Sequence, residues 1–326
     1  LSGGGREVAP TAAGLVVSLA LVALAVLSLA AEATLRVVFH PARLTVGEVG
    51  WVHVRGAGDS ATVEGSVGDR SLTFFPYAGG HAALVGIDLE TRAGVEPWRV
   101  AAIDTGASTA ASGGRSAAVA SGGRSAAVAS GGRSAAAAAS GTVVIAKRAF
   151  PVQRLTLPEH MVELDPETER RAISEAERLR TLYRTITGER LWRGPFIRPV
   201  AGAEPGTGFG SRRIINGRPR MPHGGADYAA PRGTPIVAAN AGRVALVGDF
   251  FFPGRTVVVD HGLGLYTLYF HLERAVVEED AVVGRGQIIG TVGATGRATG
   301  PHLHFGVQVG AARVDPAVLL KLAFRD

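Results

Sequence analysis

The 326-residue chain contains no cysteine. That excludes a disulfide scaffold and any thiolate metal site, so a metal bound here has to sit on His, Asp or Glu. Lysine is nearly absent too, occurring only at Lys147 and Lys321, and arginine carries the formal net charge of +6. A basic surface favours anionic partners such as nucleic acid, anionic lipid or cell-wall polymer. Dense basic blocks are missing, however, as are aromatic–basic interleaving and a groove-reading helix, so nucleic acid is not an expected partner. Long apolar runs are equally scarce. One exists, AAGLVVSLALVALAVLSLAA at 12–31. As a helix it would cover roughly 30 Å, the bilayer core. Ala31-Glu32-Ala33 behind it is a small-x-small pattern that a signal peptidase could cut. Residues 1–33 are therefore expected to be a signal peptide or membrane anchor, with the inner membrane as partner if uncleaved and the remainder exported.

What the chain does have is short extended runs punctuated by Gly, Pro and Asp. LRVVFH (35–40), GWVHVRG (50–56), ATVEGSV (61–67), SLTFFPY (71–77), ALVGIDL (83–89), WRVAAID (98–104) and TVVIAKR (142–148) predict a seven-stranded, Ig-like β-sandwich over 34–157. Between Ala111 and Ala137 a nine-residue unit recurs as ASGGRSAAV, ASGGRSAAV and ASGGRSAAA. Such a unit cannot bury enough apolar area to order itself, so 107–141 reads as a flexible insertion enlarging one hairpin loop.

Asp165-Pro166-Glu167 carries the residue types of a helix start: an N-cap, a first-position proline and an early acid. Ile173, Ala176, Leu179, Leu182, Tyr183 and Ile186 recur at steps of three and four up to Gly188, predicting an amphipathic connector helix within 158–194. From 195 to 326 the texture is Gly-rich β: PIVAANAGRVALVGDF (235–250), RTVVVDHG (255–262), LYTLYFHLE (265–273), QIIGTVG (287–293) and HLHFGVQVG (302–310). Short turns between such runs predict an antiparallel sheet. The fold class is thus mainly β.

Five of the nine histidines, His223, His261, His271, His302 and His304, fall in this last region. On a strand, His302 and His304 would face the same way, so that one imidazole could bind a metal while the other reaches a water or substrate atom. The separate His223-x-x-x-Asp227 pair offers two further candidate ligands.

These residues carry a resemblance. Gly208-Phe209-Gly210-Ser211-Arg212-Arg213, His223-Gly224-Gly225-Ala226-Asp227-Tyr228-Ala229-Ala230-Pro231, Val259-Asp260-His261-Gly262, Leu268-Tyr269-Phe270-His271-Leu272 and Gly296-Arg297-Ala298-Thr299-Gly300-Pro301-His302-Leu303-His304-Phe305 stand in the order found in one family. The segment from about Phe209 to Pro316 resembles the M23 zinc metallopeptidases of the lysostaphin/LytM type. The resemblance implies an antiparallel β metallopeptidase domain over 195–326, with Zn2+ held by His223, Asp227 and His304. His271 and His302 would stand beside it as the catalytic pair, their individual roles open, and His261 would be structural. It further implies a zinc endopeptidase acting on the peptide stems of peptidoglycan in the bacterial envelope, periplasmic, on the outer face of the cytoplasmic membrane, or secreted. The alternative is a catalytically silent LytM-type wall-binding module or an activator of cell-wall amidases. Inert members generally lack one or more ligands, whereas all five positions are filled here.

Overall fold

The computed structural model describes residues 34–104 and 135–324, apart from positions 59, 157, 160, 161, 207 and 323. The segment 1–33 and the repeats as far as 134 lie outside the described residues. Among those described, no helix is long and apolar enough to cross a membrane.

The chain begins with nine strands: β1 (Arg36–His40), β2 (Leu44–Thr45), β3 (Val49–Arg55), β4 (Ala61–Val67), β5 (Arg70–Leu72), β6 (Phe74–Tyr77), β7 (Gly80–Gly86), β8 (Gly94–Asp104) and β9 (Ala135–Ala146). They form two sheets, ordered β1-β3-β7-β6 and β2-β9-β8-β4-β5. Val52, Val54, Ala83 and Val85 from the first meet Val63, Val67, Val100, Val143 and Ile145 from the second in one core. Two expectations shift. SLTFFPY is not one strand: it breaks at Thr73, with β5 pairing β4 in one sheet and β6 pairing β7 in the other. The strand expected from 142 starts at Ala135, inside the expected insertion, because eleven-residue β8 offers an antiparallel ladder out to Ile103↔Ala135. Backbone pairing there overrides the weak strand propensity of an alanine run.

A short strand β10 (Val152–Leu155) leads to α1 (Pro166–Arg184). Asp165 caps α1, its carboxylate accepting from the Glu167 and Thr168 amides at 3.0 Å each. The helix stops at Arg184 rather than Gly188, because Tyr266 donates its hydroxyl to the Thr185 carbonyl (2.6 Å) and Thr185 turns extended. Its buried residues are Ala172, Leu179 and Tyr183, the last two packing with Leu246, Phe250, Val258, Tyr266 and Leu268. Ile173 and Ile186 of the expected stripe are exposed. The face is rotated because Glu175 turns inward, accepting from the Phe251 amide (2.7 Å).

The C-terminal domain follows with β11 (Arg212–Ile215), β12 (Arg218–Pro219), β13 (Gly225–Ala229), β14 (Pro235–Val237), β15 (Gly242–Phe250), β16 (Gly254–Asp260), β17 (Leu265–Ala275), β18 (Val282–Val283), β19 (Ile288–Val292), β20 (His302–Val309), β21 (Ala312–Val314) and the short α2 (Pro316–Leu319). A nine-stranded sheet of antiparallel pairs runs β13-β20-β17-β16-β15-β18, with β14, β19 and β21 attached. The run 235–250 divides into β14 and β15 at Asn240, whose side chain accepts from the Ala241 amide (2.8 Å) and donates to the Arg193 carbonyl (3.1 Å). β10 pairs parallel with β11, and β12 completes that small sheet. The domain core also takes in Val49, Phe75, Ala82 and Leu84 from the outward face of the first sandwich sheet, so that sheet is buried on both sides.

Candidate metal centre

Three adjacent strands, β13, β20 and β17, build the site. Their register sets Asp227 opposite His304 and His304 opposite Phe270. His223 stands just before β13, held through its backbone: its amide donates to the Ser211 carbonyl (3.0 Å) and its carbonyl accepts from the Gly210 amide (2.8 Å). His223 Nε2, Asp227 Oδ1 and His304 Nδ1 then form a triangle with sides of 2.9, 2.9 and 3.0 Å. Those residues form the group of potential metal-ligating side chains among the described residues.

The electrostatics suit a cation. Burial alone would raise the Asp227 carboxyl, but hydrogen bonds from His223 and His304 outweigh it and hold it below the usual carboxylate range. Burial also lowers His304 and keeps it neutral, despite its hydrogen bond to Asp227. Two imidazole nitrogens 2.9 Å apart can share only one proton between them; a divalent metal would instead take a lone pair from each. Tetrahedral zinc with bonds of about 2.0–2.1 Å sets its ligands some 3.3 Å apart. The triangle is a few tenths of an ångström tighter than that, so the donor set fits the ion.

Room for these rings is made by glycine. A methyl group on Gly208 would lie 2.6 Å from His223 Nδ1, and one on Gly225 would press first on the Phe305 carbonyl oxygen of β20 and lie 2.7 Å from His304 Nε2. Neither position stands out by residue type alone; both fall in the runs 208–213 and 223–231 that carry the resemblance.

His302 and His271 stand beside the triangle. His302 donates its Nδ1–H to the Gly300 carbonyl (2.8 Å), which leaves Nε2 facing the site, 3.9 Å from Asp227 Oδ1. His271 likewise donates Nδ1–H to the Thr295 carbonyl (2.8 Å), and its ring centroid lies 4.8 Å from that of His302. Burial, aided by His304, pushes His271 down to about 3, so it is neutral.

Strand alternation does not explain His271. Phe270 stacks on His304 with centroids 5.3 Å apart, so the next residue on a regular strand would point away. His271 instead adopts a φ of +63°, and the β17–β19 register shifts just beyond it. That left-handed residue, of the kind that costs about 1–3 kcal/mol, lets two consecutive side chains reach one site.

His261 sits apart. It is fully buried, its Nδ1–H donating to the Ala241 carbonyl (2.7 Å) and its Nε2 lying 2.8 Å from Thr267 Oγ1. Thr267 lies 3.0 Å from the Tyr269 hydroxyl, which accepts from the Ala239 amide (2.8 Å). All groups are satisfied when protons run from Ala239 through Tyr269, Thr267 and His261 to Ala241. It is a structural chain.

Residues 221–316 match the model of peptidase family M23. Over 111 residues the chain is 40% identical to the peptidoglycan DD-endopeptidase ShyB of Vibrio cholerae, a stretch covering 33% of this chain and 26% of ShyB. The DD-carboxypeptidase/endopeptidase Mpg of Neisseria meningitidis is 44% identical over 94 residues, covering 29% of this chain and 22% of Mpg. The chain therefore spans about a quarter of the length of these curated relatives. The crystal structure of a candidate peptidase M23 from Pseudomonas aeruginosa superposes with a TM-score of 0.62 at 28% identity, over 85% of this chain and 95% of that one.

Proposed function

We infer that this chain, whose residues 221–316 form a peptidase family M23 domain, is a zinc endopeptidase that hydrolyses peptide cross-links of bacterial peptidoglycan. The observation that carries the reading is the triangle of His223, Asp227 and His304 with the imidazoles of His271 and His302 beside it. The names of ShyB and Mpg support a DD-type cross-link as the bond cut.

Bound zinc would supply a Lewis acid that polarises a peptide carbonyl and brings the pKa of a water to roughly 7. The chain's own residues do the rest. His223 and His304 would turn imidazole nitrogens toward the ion, and Asp227 would add one carboxylate oxygen. His271 and His302 both have Nδ1–H committed to backbone carbonyls, so each presents Nε2 to the reacting peptide. One takes the proton from the attacking water and passes it to the leaving amine; the other, when protonated, donates to the developing oxyanion.

The segment 1–33 belongs to this reading as a signal peptide or anchor, placing the domains 34–157, 158–194 and 195–326 in the cell envelope. Purified full chain incubated with sacculi should release new peptide termini, identified by mass spectrometry, and chelator should abolish them. Binding to sacculi without new termini would replace the enzyme with the silent wall-binding module.

A further inference from the structure

Among the described residues three arginines lie near one another without a carboxylate partner, and one of them, Arg213, is close enough to Asp227 and His304 for each to feel its charge. Arg213 lies on β11, two residues beyond Ser211, the residue that accepts from the His223 amide. Arg220, just past β12, donates its amide to the Arg213 carbonyl (2.9 Å), which makes the two cross-strand neighbours. Arg297 comes from the loop between β19 and β20, two residues beyond Thr295, whose carbonyl holds His271. Its guanidinium lies 4.1 Å over the Phe252 ring.

None of the three is paired with a carboxylate in an ion pair among the described residues. Arg213 Nε is buried with no hydrogen-bond partner, and Arg220 reaches only the Val162 carbonyl, at 3.4 Å. Burial lowers both Arg213 and Arg297, and repulsion from Arg213 and Arg220 lowers Arg297 further. The one carboxylate whose field favours Arg213 is Asp227, and its Oδ1 already serves two imidazoles. Arg213 and Arg297 are half-buried and Arg220 beside them is exposed; guanidinium groups half-buried and short of an anion are what an incoming carboxylate completes, through charge-assisted and often two-pronged hydrogen bonds.

We propose that Arg213, Arg220 and Arg297 form a subsite for a free carboxylate of the substrate peptide, next to the bond that is cut. The identity of the ligand rests on the peptidase reading; the anion preference does not. Cross-linked muropeptide dimers bearing free stem carboxylates, and the same dimers amidated, are titrated into the full chain in chelator, so that binding is read without turnover. The free form is expected to bind about tenfold tighter, the scale of one charged hydrogen bond. Arg297→Gln should erase that preference and Arg297→Lys keep part of it. Equal affinities of the wild-type chain for the two forms overturn the subsite, and that comparison stands even if a variant fails to fold. Cleavage is followed separately with zinc. Selective binding with no cleavage would sink the peptidase and leave the subsite, while cleavage with indifferent binding would do the reverse.

Discussion

At the scale of single residues, two imidazoles on one strand differ in what their Nδ1 atoms meet, a carboxylate for His304 and a backbone carbonyl for His302. His304 turns Nδ1 to the triangle, whereas His302 spends Nδ1–H on Gly300 and offers only Nε2. His304→Ala should therefore lose zinc and activity together. His302→Ala should keep stoichiometric zinc while turnover falls by about 10²–10⁴-fold, the usual weight of a proton-transfer group. Metal analysis beside a rate assay separates the two, and zinc-free His302→Ala would show the roles misassigned. His261 gives a prediction about stability. Burial lowers its pKa from 6.5 to about 4. Between those values the unfolded chain binds the proton and the folded chain does not, so stability is full above pH 6.5 and falls as pH drops toward 4. The loss amounts to about 3 kcal/mol. Urea midpoints at pH 7 and pH 5 should differ more for wild type than for His261→Gln, and matching differences would refute the assignment.

At the scale of strands, Asp227 and His304 are brought together by how closely β13 and β20 approach. Adding a methyl at Gly225 brings it within 2.7 Å of His304 Nε2, and the ring has Phe270 stacked beside it. Gly225→Ala should thus weaken zinc binding by about 10–100-fold, as loss of a ligand's supporting contacts does, measured by competition with a chelator. Much at this scale was legible beforehand. The His-x-His pair needed only the two-residue strand period, and Asp165-Pro166 marked the helix start by local chemistry. What was hidden depended on distant partners. The rotated face of α1 is set by Glu175 meeting the Phe251 amide, 76 residues away. The reach of His271 into the site comes from one left-handed residue at a register shift, which no alternation pattern announces. Arg213 and Arg220 become neighbours only through β11 and β12, strands of 4 and 2 residues too short to signal themselves.

At the scale of the whole molecule, the sandwich and the C-terminal domain are joined by contacts specific enough to make them one body. Since β8 and β9 already pair out to Ala135, replacing 106–133 with a short Gly/Asn turn should leave cleavage unchanged and should not lower the unfolding midpoint, since a shorter connection adds up to about 2 kcal/mol of stability. Between the domains, a methyl on Gly86 of β7 would lie 2.7 Å from Val309 Cβ of β20, and the Asp315 amide donates to the Gly47 carbonyl (2.7 Å). Arg148 meets Asp315 at 2.6 Å. The strongest join is Arg313, whose guanidinium grips Asp88 through two bonds of 2.9 and 3.0 Å and Glu90 through a third of 2.5 Å. Burial by itself would raise the Asp88 carboxyl, but these bonds more than offset it and hold it below its ordinary value. Arg313→Ala leaves a half-buried carboxylate with only amide donors, at a cost of about 1–3 kcal/mol. With the depressed carboxyl pKa, that contribution is present above pH 3.8 and is lost as pH falls through the folded value. Denaturation followed by tryptophan fluorescence and by circular dichroism should coincide for the wild-type chain, then separate in Arg313→Ala as the sandwich unfolds apart from the C-terminal domain. Two resolved transitions in the wild type would mean that the domains never shared their stability, whatever their contacts.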